Sequence, residues 1–191
     1  MLVGVLALQG DFEAHAEALR RASARVEVVQ VRRAEQLDRL AGLVIPGGES
    51  TSMLKLMEYY GLFEPLRHFG LERPVFGTCA GAILLAKEVL NPAQESLGLV
   101  DLTVERNAYG RQLDSRVVRL TEHELGGPPE LEAVFIRAPI IRRMGEAVRV
   151  LARYEGNPVV VEAGGHLIAT CHPELSRDPR VHARFVSKIE A

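Results

Sequence analysis

The chain has 191 residues, of which 47% are hydrophobic and 25% charged; this is the composition of a globular protein and excludes an intrinsically disordered one. With 25 acidic and 23 basic residues its net charge is −2, so it lacks the basic excess that nucleic acid or an anionic membrane attracts. It has two cysteines, no metal-finger spacing and no apolar run near the roughly 20 residues that span a bilayer. We therefore expect one domain over residues 1–191, in the cytoplasm, with no nucleic-acid or membrane partner.

Short apolar runs alternate with amphipathic runs in the first half of the chain. Continuous apolar runs are typical of strands buried on both faces, and alternation with helices is typical of βαβ units. We predict strands at residues 2–8, 26–31, 42–45 and 74–77. We predict one helix at residues 12–21, a second that begins at residue 50 or 51, and a third at residues 82–87. The pattern favours an α/β fold with an open, twisted, mostly parallel sheet and helices on both faces.

The second half of the chain is richer in strands. Residues from 99 to about 120 read as extended segments around a turn at Tyr109-Gly110. Further strands are predicted at 134–136, 148–151, 159–161 and 167–170, and a closing helix at 181–189. We expect these strands to extend the sheet in antiparallel fashion or to form a flap on it.

The sequence Gly77-Thr78-Cys79-Ala80-Gly81 lies between a predicted strand and a predicted helix. This is the context of a nucleophile elbow, in which a sharp turn presents the central side chain at the carboxyl end of the sheet. The backbone N–H of Ala80 would then face a developing oxyanion, and the helix start would favour a thiolate at Cys79. A buried structural cysteine beside a tight turn is the alternative.

Two more motifs follow predicted strands. In His172-Pro173-Glu174, an extended segment would place the side chains of His172 and Glu174 on the same side. The carboxylate could then orient the imidazole, as in a catalytic triad. The alternative is a salt bridge in a surface loop. In Pro46-Gly47-Gly48 a glycine amide could turn toward a ligand as a second oxyanion donor, the alternative being a helix-capping loop. Together the motifs predict a cysteine acyl-transfer site for amides or esters.

The three motifs resemble those of the class I, triad-type glutamine amidotransferase family. They also follow the family's order along the chain: Pro-Gly-Gly first, the cysteine elbow second and His-Pro-Glu last. Additional segments narrow the resemblance to the glutaminase subunits of pyridoxal 5'-phosphate synthase, over nearly the whole chain. The segments that carry it are residues 6–11, 46–51, 77–81, 106–112 and 135–139, of which 106–112 is the most specific.

The resemblance implies that Cys79 attacks the side-chain amide of L-glutamine, that His172 passes a proton to the departing ammonia and that Glu174 orients His172. It places the oxyanion hole at Gly48 and Ala80. Residues that it implies contact glutamine are Gly47, Gly48, Glu49, Arg106, Ile136 and Arg137. An Arg suits the α-carboxylate of glutamine, and a carboxylate or carbonyl suits its α-ammonium group.

The resemblance also implies a partner. Ammonia would pass to a separate barrel-shaped synthase chain that combines it with a pentose phosphate and a triose phosphate, in a dodecamer of heterodimers. Members of the family hydrolyse glutamine only when docked on that chain. Gln9 and Gly10, at the end of the first predicted strand, are our candidates for sensing the partner.

Other readings of the sequence stay open. The chain could be a glutaminase that feeds another acceptor, such as imidazole glycerol phosphate synthase, a stand-alone cysteine-elbow hydrolase, or a non-catalytic thiol sensor or chaperone. We expect no cofactor and no metal, although Asp11, Glu13 and His15 could be imagined as ligands together with the His-Pro-Glu motif. We expect Cys171 to be buried and inert, and His182 to be solvated.

Overall fold

The computed structural model describes residues 1–107 and 115–191; the turn predicted at Tyr109-Gly110 and residues 108–112 of the most specific segment lie outside them. A seven-stranded sheet forms the centre of the molecule. In spatial order its strands are β10 (Arg149–Tyr154), β11 (Asn157–Ala163), β12 (His166–Ala169), β4 (Val75–Thr78), β3 (Gly42–Ile45), β1 (Leu2–Leu6) and β2 (Glu27–Val31).

The sheet is mostly parallel, as predicted. Strands β12, β4, β3, β1 and β2 pair with one another in parallel, and β10 and β11 add an antiparallel extension at one edge. All four residues of β3 and of β4 are buried, which explains why these strands read as continuous apolar runs. The antiparallel extension of the C-terminal half is confirmed.

Helices cover both faces of the sheet. Helices α1 (Phe12–Ala22) and α5 (Arg180–Glu190) lie on one face, and α2 (Ser50–Tyr59), α3 (Phe63–Glu72) and α4 (Ala80–Leu85) lie on the other. Successive strand residues alternate between the two apolar clusters: Leu43 and Ile45 join the cluster with α2 to α4, whereas Val44 joins the one with α1 and α5. The sequence analysis did not predict α3.

Two smaller sheets complete the described structure. One contains β5 (Ala86–Leu90), β6 (Val100–Glu105) and β9 (Ile140–Met144); the other pairs β7 (Ser115–Leu120) with β8 (Leu131–Ile136). The helix predicted at 82–87 was wrong at its end, because the chain leaves α4 after Leu85 and pairs as β5 with β6. No helix in residues 1–107 and 115–191 is long and apolar enough to cross a membrane.

Strand order determines where the three motifs meet. Strands β12, β4 and β3 are consecutive and parallel, so their carboxyl ends lie side by side at one edge of the sheet. Pro46-Gly47-Gly48 follows β3, Cys79 follows β4, and His172 lies three residues after the end of β12. This is the edge at which open α/β sheets bind ligands.

Candidate active site

Cys79 lies on a strained turn between β4 and α4. Its backbone has φ +48° and ψ −102°, a conformation that residues other than glycine rarely adopt. The flanking glycines are required by close packing: a Cβ at Gly77 would lie 2.6 Å from backbone atoms of Gly81, and a Cβ at Gly81 would lie 2.1 Å from the carbonyl oxygen of Ile45. The motif therefore forms the sharp elbow that was predicted.

The elbow holds the Cys79 side chain between neighbouring elements. Its backbone N–H donates to the carbonyl oxygen of Ala169, at the end of β12, at 2.9 Å. Its sulfur lies 3.9 Å from the carbonyl oxygen of Ile136, at the end of β8. The residue is only 7% exposed, and it lines the cleft described below.

His172 and Glu174 form a short contact, in which imidazole Nδ1 and carboxylate Oε1 are 2.6 Å apart. The expectation of an extended segment was wrong, because Pro173–Leu175 is a turn of 3-10 helix. The turn nevertheless brings the two side chains together. Pro173 lies at its start, a position in a helix that accommodates proline. The N–H of His172 donates to the carbonyl oxygen of Val134 at 2.7 Å, which attaches the segment to β8.

His172 interacts with both other members of the predicted triad. Burial lowers the pKa of its imidazole, but hydrogen bonding to Cys79 and to Glu174 outweighs burial and raises the pKa to about 10. The ring is therefore stabilised in its protonated form beside the thiol and the carboxylate. Glu174 itself is 4% exposed.

The Pro46-Gly47-Gly48 loop packs directly against these side chains. A Cβ at Gly47 would lie 2.5 Å from Cε1 of His172 and 3.3 Å from Cβ of Cys79. Gly48 has φ +150°, within the range that favours glycine. The loop is thus close enough to the sulfur for one of its amides to act in an oxyanion hole.

Gln9 and Gly10 lie behind this loop. Gly10 has φ +83°, and a Cβ there would lie 1.8 Å from the carbonyl oxygen of Gly47. The side-chain oxygen of Gln9 accepts from the N–H of Glu49 at 3.1 Å. The loop after β1 is therefore in direct contact with the glycine loop after β3.

A cleft opens beside the sulfur and the imidazole. Five of the six residues predicted to contact glutamine line it together with Cys79 and His172, and Gly47 lies just behind His172. The five are Gly48, Glu49, Arg106, Ile136 and Arg137. The structure therefore brings the predicted site residues together.

Glu49 and Arg106 are paired within this cleft. The guanidinium nitrogen of Arg106 is 3.1 Å from a carboxylate oxygen of Glu49 and 3.1 Å from the hydroxyl of Thr51. The Glu49 carboxylate also accepts from the backbone N–H groups of Thr51 and Ser52 and so caps α2. Burial raises the pKa of Glu49, but hydrogen bonds from the side chains and backbone N–H groups of Ser52 and Thr51 outweigh it and lower the pKa to about 2.

Two buried histidines, His15 beside Glu174 and His182 beside His15, were not assigned a role by the sequence analysis. His15, on α1, lies 3.3 Å from Oε2 of Glu174 through its Nε2 and 3.0 Å from His182 through its Nδ1. The expectation that His182 is solvated was wrong: it is 0% exposed, since α5 packs against α1. The position of His15 on the apolar side of its helix was the signal available in the sequence.

Cys171 is buried, as expected, and is not bonded to Cys79. Burial first, and then the nearby Glu174, raise the pKa of its thiol to about 12, so it stays protonated. Within residues 1–107 and 115–191, no three His, Cys, Asp or Glu side chains form a group that could bind a metal ion.

The arrangement suits nucleophilic attack on a carbonyl group. The Cys79 sulfur faces the cleft, a protonatable imidazole lies beside it, and a buried carboxylate fixes that imidazole. In such a site the sulfur forms a bond to the carbonyl carbon, backbone N–H groups stabilise the oxyanion, and the imidazole gives its proton to the leaving group. Water then releases the acyl group and regenerates the thiol.

The fold is that of the class I glutamine amidotransferases. A solved structure described as a glutamine amidotransferase superposes with a TM-score of 0.90 at 47% identity, over 99% of each chain. The matching family model spans residues 5–191, and the chain belongs to the SNO glutamine amidotransferase family. A putative GMP synthase subunit from Thermoplasma acidophilum superposes with a TM-score of 0.70 at 16% identity, over 100% of this chain and 94% of that one. At this identity the similarity concerns the fold alone.

Two curated proteins that are similar to the chain over nearly its whole length have the same name. The chain is 60% identical to the pyridoxal 5'-phosphate synthase subunit PdxT of Solibacter usitatus, over 98% of each chain. It is 50% identical to the subunit of the same name from Thermus thermophilus, over 97% of this chain and 96% of that one. The family recognised in the sequence is therefore confirmed.

Proposed function

We propose that this protein hydrolyses L-glutamine to L-glutamate and ammonia as the glutaminase subunit of a pyridoxal 5'-phosphate synthase. The observation that carries the proposal is the convergence of Cys79, His172 and Glu174 at one edge of the sheet, in a chain with full-length PdxT relatives. The ammonia passes to a separate synthase subunit, which uses it with a pentose phosphate and a triose phosphate.

In the proposed reaction the Cys79 sulfur bonds to the side-chain amide carbon of glutamine. The amide oxygen becomes an oxyanion facing the N–H groups of Gly48, in the loop after β3, and Ala80, at the elbow, and these positions support the role. The carbon–nitrogen bond then breaks while His172 gives its proton to the departing ammonia. Water attacks the glutamyl thioester, the carbon–sulfur bond breaks, and glutamate leaves as the thiol regains its proton.

The cleft offers groups for the polar ends of the substrate. We assign glutamine binding to Gly47, Gly48, Glu49, Arg106, Ile136 and Arg137. Arg106 suits the α-carboxylate, because a guanidinium can donate two parallel hydrogen bonds to it. Its present partner is Glu49, so binding of glutamine would exchange this ion pair for contacts to the substrate.

We further propose that the partner acts on the site through Gln9 and Gly10. The contact of Gly10 with the carbonyl of Gly47, and the hydrogen bond from the N–H of Glu49 to Gln9, support this route. The partner would be the barrel-shaped synthase subunit that the resemblance implies, assembled as a dodecamer of heterodimers. Two free cysteines suit the reducing cytoplasm, where we expect this assembly.

One experiment tests the function. The chain is mixed with a synthase subunit and the two sugar phosphates, and product formation is followed with glutamine or an ammonium salt as the nitrogen source. The Cys79→Ala variant should form no product from glutamine and the normal amount from ammonium. Failure with both nitrogen sources, or success with both, would reject the proposal. Co-purification of a different acceptor enzyme would instead favour another amidotransferase.

A further inference from the structure

A chain of buried polar side chains continues from the catalytic carboxylate into the body of the protein. Oε1 of Glu174 contacts His172, and Oε2 of the same carboxylate faces Nε2 of His15 at 3.3 Å. His15 is also 3.0 Å from the hydroxyl of Thr78 and 3.0 Å from Nε2 of His182. His15, Thr78 and His182 are all 0% exposed.

Hydrogen-bond accounting indicates how the protons are arranged. Burial and the nearby His182 and His172 lower the pKa of His15 well below its ordinary value, and burial lowers that of His182 to about 3, so both rings are neutral. Each ring then carries one N–H. Among the described residues, neither Nδ1 of His182 nor Oε2 of Glu174 has a hydrogen-bond partner of good geometry.

Neutral His15 has two tautomers, with the proton on Nε2 or on Nδ1. If its proton is on Nε2, that nitrogen can donate to the Thr78 hydroxyl at 3.0 Å and faces Oε2 of Glu174 at 3.3 Å, while Nδ1 accepts from the N–H of His182. If its proton is on Nδ1, a lone pair faces the carboxylate, and the N–H of His182 is left buried without an acceptor. An unpaired buried donor and a lone pair opposite a carboxylate both cost free energy, so the first tautomer is favoured.

We propose that His15 is a positioning residue for the glutaminase reaction: its Nε2, 3.3 Å from the otherwise unpaired Oε2 of Glu174, supplies the N–H that orients this second carboxylate oxygen, and His182 and Thr78 fix the ring of His15. This inference rests on the proposed function, because it assigns His15 a part in the same site. Its consequence is that Glu174 has one orientation, in which Oε1 points at His172. Without His15 the buried carboxylate would be free to turn, and His172 would lose its alignment with Cys79.

Two substitutions of the same residue separate this role from packing. Gln places its terminal amide where Nε2 of a histidine lies, so His15→Gln keeps a donor toward Glu174. Asn places its amide where Nδ1 lies, so His15→Asn keeps a group toward His182 and loses the donor toward Glu174. Both are neutral amides that leave a cavity, which makes them a matched pair.

The assays use the complex for turnover and the isolated chain for chemistry at Cys79. Because a hydrogen bond to a charged group is at stake, His15→Asn should lower kcat for glutamine by about tenfold or more with little change in KM. His15→Gln should keep most of the wild-type kcat. In the isolated chain, the rate of Cys79 alkylation against pH, followed by peptide mapping, should shift in His15→Asn and not in His15→Gln.

The alkylation profile requires neither glutamine nor a partner, so it tests His15 even if the proposed function fails. The ionisable groups that act on His15 in the described structure are Glu174, His182 and His172, and Arg21 acts on His182. A wild-type kcat and alkylation profile in His15→Asn would overturn the proposal. Equal losses in both variants, with or without a parallel fall in melting temperature, would also overturn it, because packing and not the donor would then matter.

Discussion

The contact between Gly47 and His172 makes a quantitative prediction for Gly47→Ala. The new methyl carbon would lie 2.5 Å from Cε1 of His172, whereas ordinary contacts begin at 3.4 Å, so the ring must retreat by about 0.9 Å. The contact between His172 and Glu174 is only 2.6 Å long and breaks with such a displacement. Because a misplacement of about 1 Å can cost a catalytic site about 100-fold, we expect a loss of that size in kcat/KM for glutamine.

The assay is glutamate release by the complex with the synthase subunit, with product formation from ammonium as the internal control. Gly165→Ala is the matched substitution, since its Cβ would lie 3.4 Å from Pro74, an ordinary contact at the opposite end of β12. It should leave glutamine hydrolysis unchanged. The reasoning would be refuted if Gly47→Ala kept a wild-type kcat/KM, or if it lost activity with ammonium as well.

Three more predictions follow from the described contacts. Glu49→Gln should lower the melting temperature at neutral pH, because the lowered pKa of Glu49 contributes stability while the carboxylate is charged. The difference in melting temperature between the variant and the wild type should shrink as the pH falls from 4.5 toward 2. A difference that stays constant over this range would contradict the prediction. Iodoacetamide should label folded wild type at Cys79 and leave Cys171, whose pKa is raised to about 12, unmodified until the chain unfolds; labelling of folded Cys79→Ala would contradict it. Gly81→Ala should prevent normal folding, since its Cβ would lie 2.1 Å from a backbone oxygen that cannot move aside; a wild-type melting temperature would exclude this.

The sequence predicted the central sheet because its signal is local and strong. Buried parallel strands appear as continuous apolar runs, and β3 was predicted at residues 42–45, the bounds that the structure has. The parts that were missed depend on distant partners. Whether residues 86–90 continue a helix or form β5 is decided by pairing with β6, which no local pattern reveals.

The candidate site shows the same division. The sequence placed Cys79, His172 and Gly47 after the carboxyl ends of predicted strands, and the structure shows that these strands are neighbours in the sheet. The sequence analysis gave His15 and His182 no part in the site, since a lone histidine on a helix looks the same whether it is solvated or buried. The contact of His15 with Glu174 follows from the packing of α1 on the 3-10 helix, and its contact with His182 from the packing of α1 on α5, neither of which the sequence specifies.

His172 is held from three separate parts of the chain, and this determines how the site responds to changes elsewhere. Its ring lies against Gly47 after β3, its Nδ1 contacts Glu174 in the 3-10 helix, and its backbone N–H is bonded to Val134 in β8. Gly47 follows a strand of the seven-stranded sheet and Val134 lies in the two-stranded sheet, so the imidazole keeps its place only while the two sheets keep their relative position. A core substitution that shifts either sheet by less than 1 Å would leave the protein folded and still misalign the base, because catalysis depends on ångström-scale geometry and folding tolerates more. Loss of glutaminase activity should therefore precede loss of the fold in a series of core variants.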